Sequence, residues 1–116
     1  MNPTDHIQLV TFQLAGLDPD AYRAHCEAVA PMFAEIPGLR AKAWLANTST
    51  NTYGGVYAWD SREAMDAYVG GPIWGALLAN PGMADATTRD FSVLERPTEI
   101  TRRRYTGATT AAAGRW

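Results

Sequence analysis

The segment Asn51-Thr52-Tyr53-Gly54-Gly55-Val56-Tyr57-Ala58-Trp59-Asp60-Ser61-Arg62-Glu63-Ala64 constrains this chain more than any other. It reads as a strand that opens on two glycines and breaks directly into a capped helix. Side chains alternate along a strand, so Gly55, Tyr57 and Trp59 share one face. Glycines leave room beside a sheet, and aromatics can line that room. The segment therefore predicts a strand that walls a pocket for a flat organic molecule. Tyr57 and Trp59 have a second reading, as core aromatics packed on a helix, because aromatics dominate cores too. Asp60 followed by Glu63 has the spacing of a capping box at the start of the helix.

The rest of the chain supplies a setting for that strand. Ile7 to Leu14 is β-branched and aromatic with no Gly or Pro, and both of its faces are largely apolar, which suggests burial on both sides. Asp18-Pro19 starts a helix: Asp18 can cap free N–H groups and Pro19 suits the first helical position. That helix is expected to run to Glu35 or Ile36, stopped by Pro37-Gly38. Tyr22, Cys26, Val29, Phe33 and Ile36 fall on one stripe at helical spacing, with His25 and Met32 at its edge. Pro31 should kink it, because the ring removes an N–H and crowds the previous turn. Leu39 to Ala46 is a second strand, joined through a polar turn over residues 47–52 to the glycine-aromatic strand. A short helix carries Ala64, Met65, Tyr68 and Val69 inward. Gly70-Gly71-Pro72 ends it and starts another, Ile73 to Ala79. Thr87 to Leu94 reads as a fourth strand with Phe91 and Val93 alternating against polar neighbours, followed by a short extension to about Tyr105.

The order is β-α-β-β-α-(α)-β, an α+β, ferredoxin-like arrangement with a four-stranded antiparallel sheet and helices on one face. The other face also needs cover. In a chain of 116 residues, which buries only about 65% of its unfolded surface, the simplest cover is a second copy of the same sheet. One domain over residues 1–106 and a flexible, Ala/Thr/Gly-rich tail over 107–116 are expected. The net charge of −2 offers no basic face for nucleic acid. Arg102-Arg103-Arg104 reads as a solvated strand end or tail. A single cysteine, Cys26, allows no intrachain disulfide and fits a reducing compartment. The first residues lack the basic and apolar regions of a signal peptide, and no apolar run is long enough to span a membrane. The expectation is a soluble, cytoplasmic protein.

Three motifs carry a family resemblance: Gly38-Leu39 to Lys42-Ala43-Trp44, Gly54-Gly55-Val56-Tyr57-Ala58-Trp59, and Ala67-Tyr68-Val69-Gly70-Gly71-Pro72-Ile73. In this order and spacing they resemble the YdhR-like mono-oxygenase family. That family belongs to the dimeric α/β-barrel superfamily, which includes the antibiotic-biosynthesis mono-oxygenases. Phe91-Ser92-Val93 with Pro97 and Ile100 is similar to the close of the same pattern, so the resemblance spans residues 7 to 104. It implies a homodimer whose sheets face each other, and a pocket in each subunit between sheet and helices. Members of the superfamily oxidise quinol-like or anthrone-like aromatics without metal or flavin, and some degrade haem. In the cofactor-free type an Asn and a Trp on the third strand and a Tyr on the next helix hold and deprotonate the substrate. By motif spacing the Trp falls on Trp59, the Asn position on Gly55 and the Tyr position on Met65. The haem-degrading type needs a His in or after the second helix region, and this chain has none after His25.

Cofactor-free oxygenation needs a substrate that can give an electron to oxygen once a proton has been removed, hence a base or a donor poised near the oxyanion. The catalytic candidates are His25, Tyr57 and Trp59. His25 is expected to be the one histidine inside the fold, with a pKa suited to a base at neutral pH; its other reading is a histidine bonded to backbone or solvent. His6 is placed on a flexible N-terminus. The substrate-binding candidates are Gly55, Phe12, Trp44, Met65, Tyr68 and Trp74. Trp74 could be a flap over the pocket mouth or a surface tryptophan, and Tyr68 and Met65 read as core as well as site. Trp44 shares a face with Arg40 and Lys42, read as the solvent or the dimer side, where Lys42 could bind an anion or form a dimer salt bridge. Cys26 reads as an inert buried thiol. No HExxH, paired-Cys, P-loop or GxGxxG pattern occurs, and three metal ligands cannot be assembled. The expected partners are a hydrophobic small-molecule substrate, molecular oxygen and a second copy of the chain, with no metal or organic cofactor. Three functions are compatible with this: a cofactor-independent mono-oxygenase acting on an aromatic or polyketide-like molecule, a non-oxidative cyclase or isomerase using the same pocket, and a non-catalytic small-molecule-binding protein.

Overall fold

The computed structural model describes residues 5–102. Its elements are β1 (His6–Leu14), α1 (Pro19–Ala34), β2 (Leu39–Asn47), β3 (Thr52–Trp59), α2 (Arg62–Val69), α3 (Pro72–Ala79), β4 (Met83–Ser92) and α4 (Glu95–Thr101). The strands form one antiparallel sheet in the order β2-β3-β1-β4. The two central strands are the first and third, and α1 and the α2–α3 pair are the crossovers, which is the ferredoxin-like α+β arrangement. Among the described residues no helix is long and apolar enough to cross a membrane. The tail expected over 107–116 lies outside the described residues.

The register shows which face does what. His6, Gln8, Val10 and Phe12 lie opposite Trp59, Tyr57, Gly55 and Tyr53, and all face the helices. This face holds the core, with Val10, Tyr57 and Trp59 at or below 1% exposure. Fully burying one such side chain contributes about 1.5–3 kcal/mol. The opposite face of the sheet carries Ile7, Leu9, Val56, Ala58 and Phe91 in adjacent registers. There Ile7, Leu9 and Val56 are only half-buried and Phe91 is exposed. A single chain thus covers only one of the two apolar faces of β1 and leaves the other open.

Local signals acted mostly as physical chemistry dictates. Asp18 caps α1 by accepting the Asp20 N–H, and Pro19 takes the first helical position. Pro31 is accommodated inside α1, which ends at Ala34, short of the expected Glu35 or Ile36. The helix after β3 is capped by Ser61, whose hydroxyl accepts the Ala64 N–H, and not by Asp60. Asp60 instead pairs with Arg40 at 2.9 Å. β4 begins at Met83, directly after the Asn80-Pro81-Gly82 turn, earlier than the expected Thr87. The segment after it is helical where an extension was expected, with Leu94 and Ile100 exposed.

Gly54 is the glycine the sheet cannot replace. Its φ is 152°, and a Cβ there would sit inside the contact radius of the Val10 carbonyl oxygen on the paired strand. Only hydrogen fits, because the backbones approach face to face at this point.

Candidate functional site

Between α1, α3 and the sheet lies a cavity of about 330 Å³. Helix α1 contributes Tyr22, His25, Cys26, Val29, Met32 and Phe33. The sheet contributes Phe12, Lys42, Trp44, Gly54, Tyr57 and Met83, and α3 closes the space with Pro72, Ile73, Ala76 and Leu77. This explains why the apolar stripe of α1 is only partly buried. Tyr22 and Phe33 reach the sheet, whereas Cys26 and Val29 look into the cavity and stay half-exposed. A space of this size and character is at the small end of ligand cavities, about 300–1,000 Å³, which are largely apolar with few polar groups.

Lys42 is the polar group that stands out. It projects from β2 on the helix side of the sheet, in register with Tyr57. Its Nζ lies 3.4 Å from the ring centroid of Trp44, 3.7 Å from that of Phe33 and 4.7 Å from that of Tyr57. Among the described residues no acidic side chain forms an ion pair with it. Burial without a counter-ion disfavours the ammonium and lowers its pKa to about 7, opposed in part by the Cys26 thiol. The ring faces return some of the lost solvation as cation–π attraction. The expectation that Lys42 and Trp44 occupy the solvent or dimer side is thus corrected. Their pairing with Tyr57 and Gly55 of β3 places them on the same face as Tyr57, and that face is the cavity floor.

Gly55 leaves space, but the space is already used. A Cβ at Gly55 would lie 2.8 Å from Lys42 Cε and 3.3 Å from Tyr57 Cε1. The lysine chain leans diagonally over the glycine, and Gly55 is not itself on the cavity wall.

Tyr57 and Tyr68 meet hydroxyl to hydroxyl at 3.1 Å. Burial first, and then the neighbouring phenol, raises the Tyr57 pKa; burial raises that of Tyr68, offset by the Tyr57 hydrogen bond. Tyr22 is raised as well, by burial and its contact with Cys26. These phenols therefore stay protonated at neutral pH. They are hydrogen-bond donors and not bases.

The other sequence candidates are distributed as follows. Phe12, Trp44 and Tyr57 line the cavity. His25 also borders it, but on the exposed side of α1. Trp59 is fully buried, stacked parallel to Tyr57 at 5.8 Å, and donates its indole N–H to Gln8 Oε1 at 3.0 Å. It lies behind Tyr57 and away from the cavity. Met65, Tyr68 and Trp74 are buried in the core beside it, with Trp74 edge-on to Tyr68 at 5.9 Å. A core tryptophan of this kind is not a flap. The two histidines exchange the roles expected of them: His6 is the buried one, held in β1 with Nε2 2.7 Å from Asp90 Oδ2, while His25 is exposed. Sequence reasoning undervalued Lys42. The usable signal was its alternation with Trp44, two residues away on the strand that pairs with the glycine-aromatic segment.

Several solved structures share this fold. SnoaB from Streptomyces nogalater, a cofactor-independent oxygenase, superposes with a TM-score of 0.63 at 17% identity, over 79% of this chain and 95% of that one. MhuD from Mycobacterium tuberculosis, a haem-degrader, gives 0.62 at 22% identity over 77% and 95%. A dimeric ferredoxin-like protein from Thermobifida fusca gives 0.61 at 23% identity over 80% and 95%. Likeness at these identities establishes the fold. A search of curated proteins finds no match. The family is established by sequence: the model described as "Putative mono-oxygenase ydhR" matches residues 7–104, and the chain belongs to that family.

Proposed function

We propose that this chain is a small-molecule enzyme of the mono-oxygenase type, acting without a cofactor on a hydrophobic aromatic or polyketide-like substrate in the α1–α3 cavity. The observation that carries this reading is the cavity itself: an apolar, aromatic-walled space opening on the helix side of the sheet, in a chain of a mono-oxygenase family. The fold is shared with SnoaB, which oxidises without a cofactor. An anthrone-like methylene and O₂ give a carbonyl and water, with all four electrons supplied by the substrate. The protein has only to desolvate the substrate, orient it and remove a proton. Haem is not matched by the residues present: the one imidazole bordering the cavity, His25, is exposed on α1, and the chain has no later histidine.

The reading includes a homodimer. Ile7, Leu9, Val56 and Phe91 leave an apolar sheet face open to solvent, and a second copy of the same face covers it. The dimeric Thermobifida fusca neighbour supports this.

A second reading, non-oxidative cyclisation or isomerisation, is favoured by the residues at two positions. Gly55 and Met65 stand where the cofactor-free type is expected to carry Asn and Tyr. The third, ligand sequestration, needs the cavity alone. An oxygen electrode separates them, with a hydroxyanthrone as probe. Oxygen consumed mole for mole with carbonyl formed supports the first reading. Turnover with no oxygen uptake refutes it in favour of the second, and binding without turnover leaves the third.

A further inference from the structure

The cavity has an apolar wall and a single amine aimed into it, and that pairing selects a kind of ligand. We propose that Lys42 Nζ is the proton acceptor for an acidic hydroxyl on a planar conjugated ligand, a phenol or an enolised 1,3-dicarbonyl, and that it then holds the resulting anion as an ion pair. This deepens the cavity reading above and rests on it.

Three observations converge on it. First, Lys42 rises from the cavity floor and is propped there: its chain crosses Gly55, and its head rests against the ring faces of Trp44 and Phe33. Such a head is fixed in place before a ligand arrives. Second, it faces no carboxylate. The titratable groups around it are Tyr22, His25 and Cys26 from α1 and Tyr57 from β3; α3 contributes apolar side chains and the uncharged amide of Asn80 at its C-terminal cap, β4 only Met83, and β1 only Phe12. The anion that would pair with an ammonium in this space must therefore come from the ligand. Third, the cation-free state is accessible, because burial holds the amine pKa near 7. A base close to the working pH is the one best matched to a weakly acidic hydroxyl. The tyrosines cannot substitute for it, since burial raises their pKa values.

The step is a proton transfer and is balanced as such. The ligand O–H bond breaks heterolytically, its electron pair stays on oxygen, and the proton goes to the Nζ lone pair. An ammonium–oxyanion pair forms between neutral partners, with no net charge brought into the cavity.

The test uses alizarin, a hydroxyanthraquinone whose absorbance moves to the red on ionisation, with anthraquinone as the partner lacking the hydroxyls. Neither requires oxygen or turnover. In the full chain, bound alizarin is expected to ionise about one pH unit or more below its midpoint in water, as an opposite charge in contact dictates. An apolar pocket acting alone has the opposite sign and raises that midpoint. Lys42→Met, which keeps the length of the stem, is expected to bind both dyes and to push the alizarin midpoint above its value in water. Wild-type protein that binds anthraquinone yet leaves alizarin neutral overturns the role of Lys42 and spares the cavity. A lowered midpoint that survives in Lys42→Met also overturns it, and assigns the effect to His25, Cys26 or Tyr22. If neither dye binds, the cavity reading fails and this inference fails with it.

Discussion

Replacing Lys42 by methionine should stabilise the protein at neutral pH, and the gain should shrink as the pH rises. The structure sets the size. The Lys42 ammonium has a pKa near 7 in the folded chain, against an ordinary value near 10.5. The unfolded chain therefore binds more protons than the folded one between pH 7 and pH 10.5, and stability rises with pH across that window. Below about pH 6 the penalty is constant. At pH 7 it is at most about 4 kcal/mol, and at pH 9 about 2 kcal/mol, at 1.36 kcal/mol per pKa unit. Attraction to the Trp44 and Phe33 rings lowers both figures. Wild type is thus expected to gain up to about 2 kcal/mol from pH 7 to pH 9, a range that stops short of tyrosine ionisation. Lys42→Met removes the penalty and keeps the packing of the stem. Urea unfolding at fixed protein concentration reads the effect: with a slope of about 1–3 kcal/mol/M, the wild-type midpoint moves by roughly 1 M and the variant's by much less. Parallel pH dependence in the two proteins would refute the reasoning, because it would mean that the amine is as well solvated folded as unfolded.

Three further perturbations separate structure from site. Gly54→Ala drives a methyl into the Val10 carbonyl at a φ of 152° and should cost about 3 kcal/mol or more in thermal or urea unfolding, whereas tolerance would show that the β1–β3 approach is looser than described. Trp59→Phe leaves Gln8 Oε1 buried without its indole donor, so it should cost about 1–3 kcal/mol of stability while changing anthraquinone affinity little; a large loss of affinity at unchanged stability would return Trp59 to the binding site. Leu9→Asp puts a charge on the half-buried outer sheet face, and sedimentation velocity is expected to show monomers in place of dimers; an unchanged dimer would place the interface elsewhere.

The fold was legible because it depends on signals only a few residues long. Alternation in β1 and β3, the Asp18-Pro19 helix start and the Gly70-Gly71-Pro72 break each act locally, and together they fix the order of elements. Errors arose where the deciding partner is distant in sequence. Ser61 rather than Asp60 caps α2, since Asp60 is drawn to Arg40, some twenty residues earlier. Nothing near His6 in sequence shows that it is held, because Asp90, which fixes it, comes 84 residues later. The cavity wall was partly legible: Phe12, Trp44 and Tyr57 are on it, and the aromatic content of β3 pointed to it. The position of Trp59 behind Tyr57 was not, because one strand face holds both a lining ring and a buried ring, and only the helices decide which is which. The side on which Lys42 lies is not legible in β2 itself, because the side of β2 that meets the helices follows from its pairing with β3, not from its own composition.

Positions 42 and 55 occupy one volume from two neighbouring strands. A long side chain at 42 and any side chain at 55 are therefore alternatives, and this chain has taken the first. The family resemblance expects an amide on β3, rooted at position 55; here the polar atom arrives from β2, after crossing the gap that glycine leaves. In this chain the polar side chain beside that gap is rooted one strand away from the position the resemblance points to. Sites in sheets of this kind are better compared by the space a functional atom reaches than by the column of sequence from which it starts.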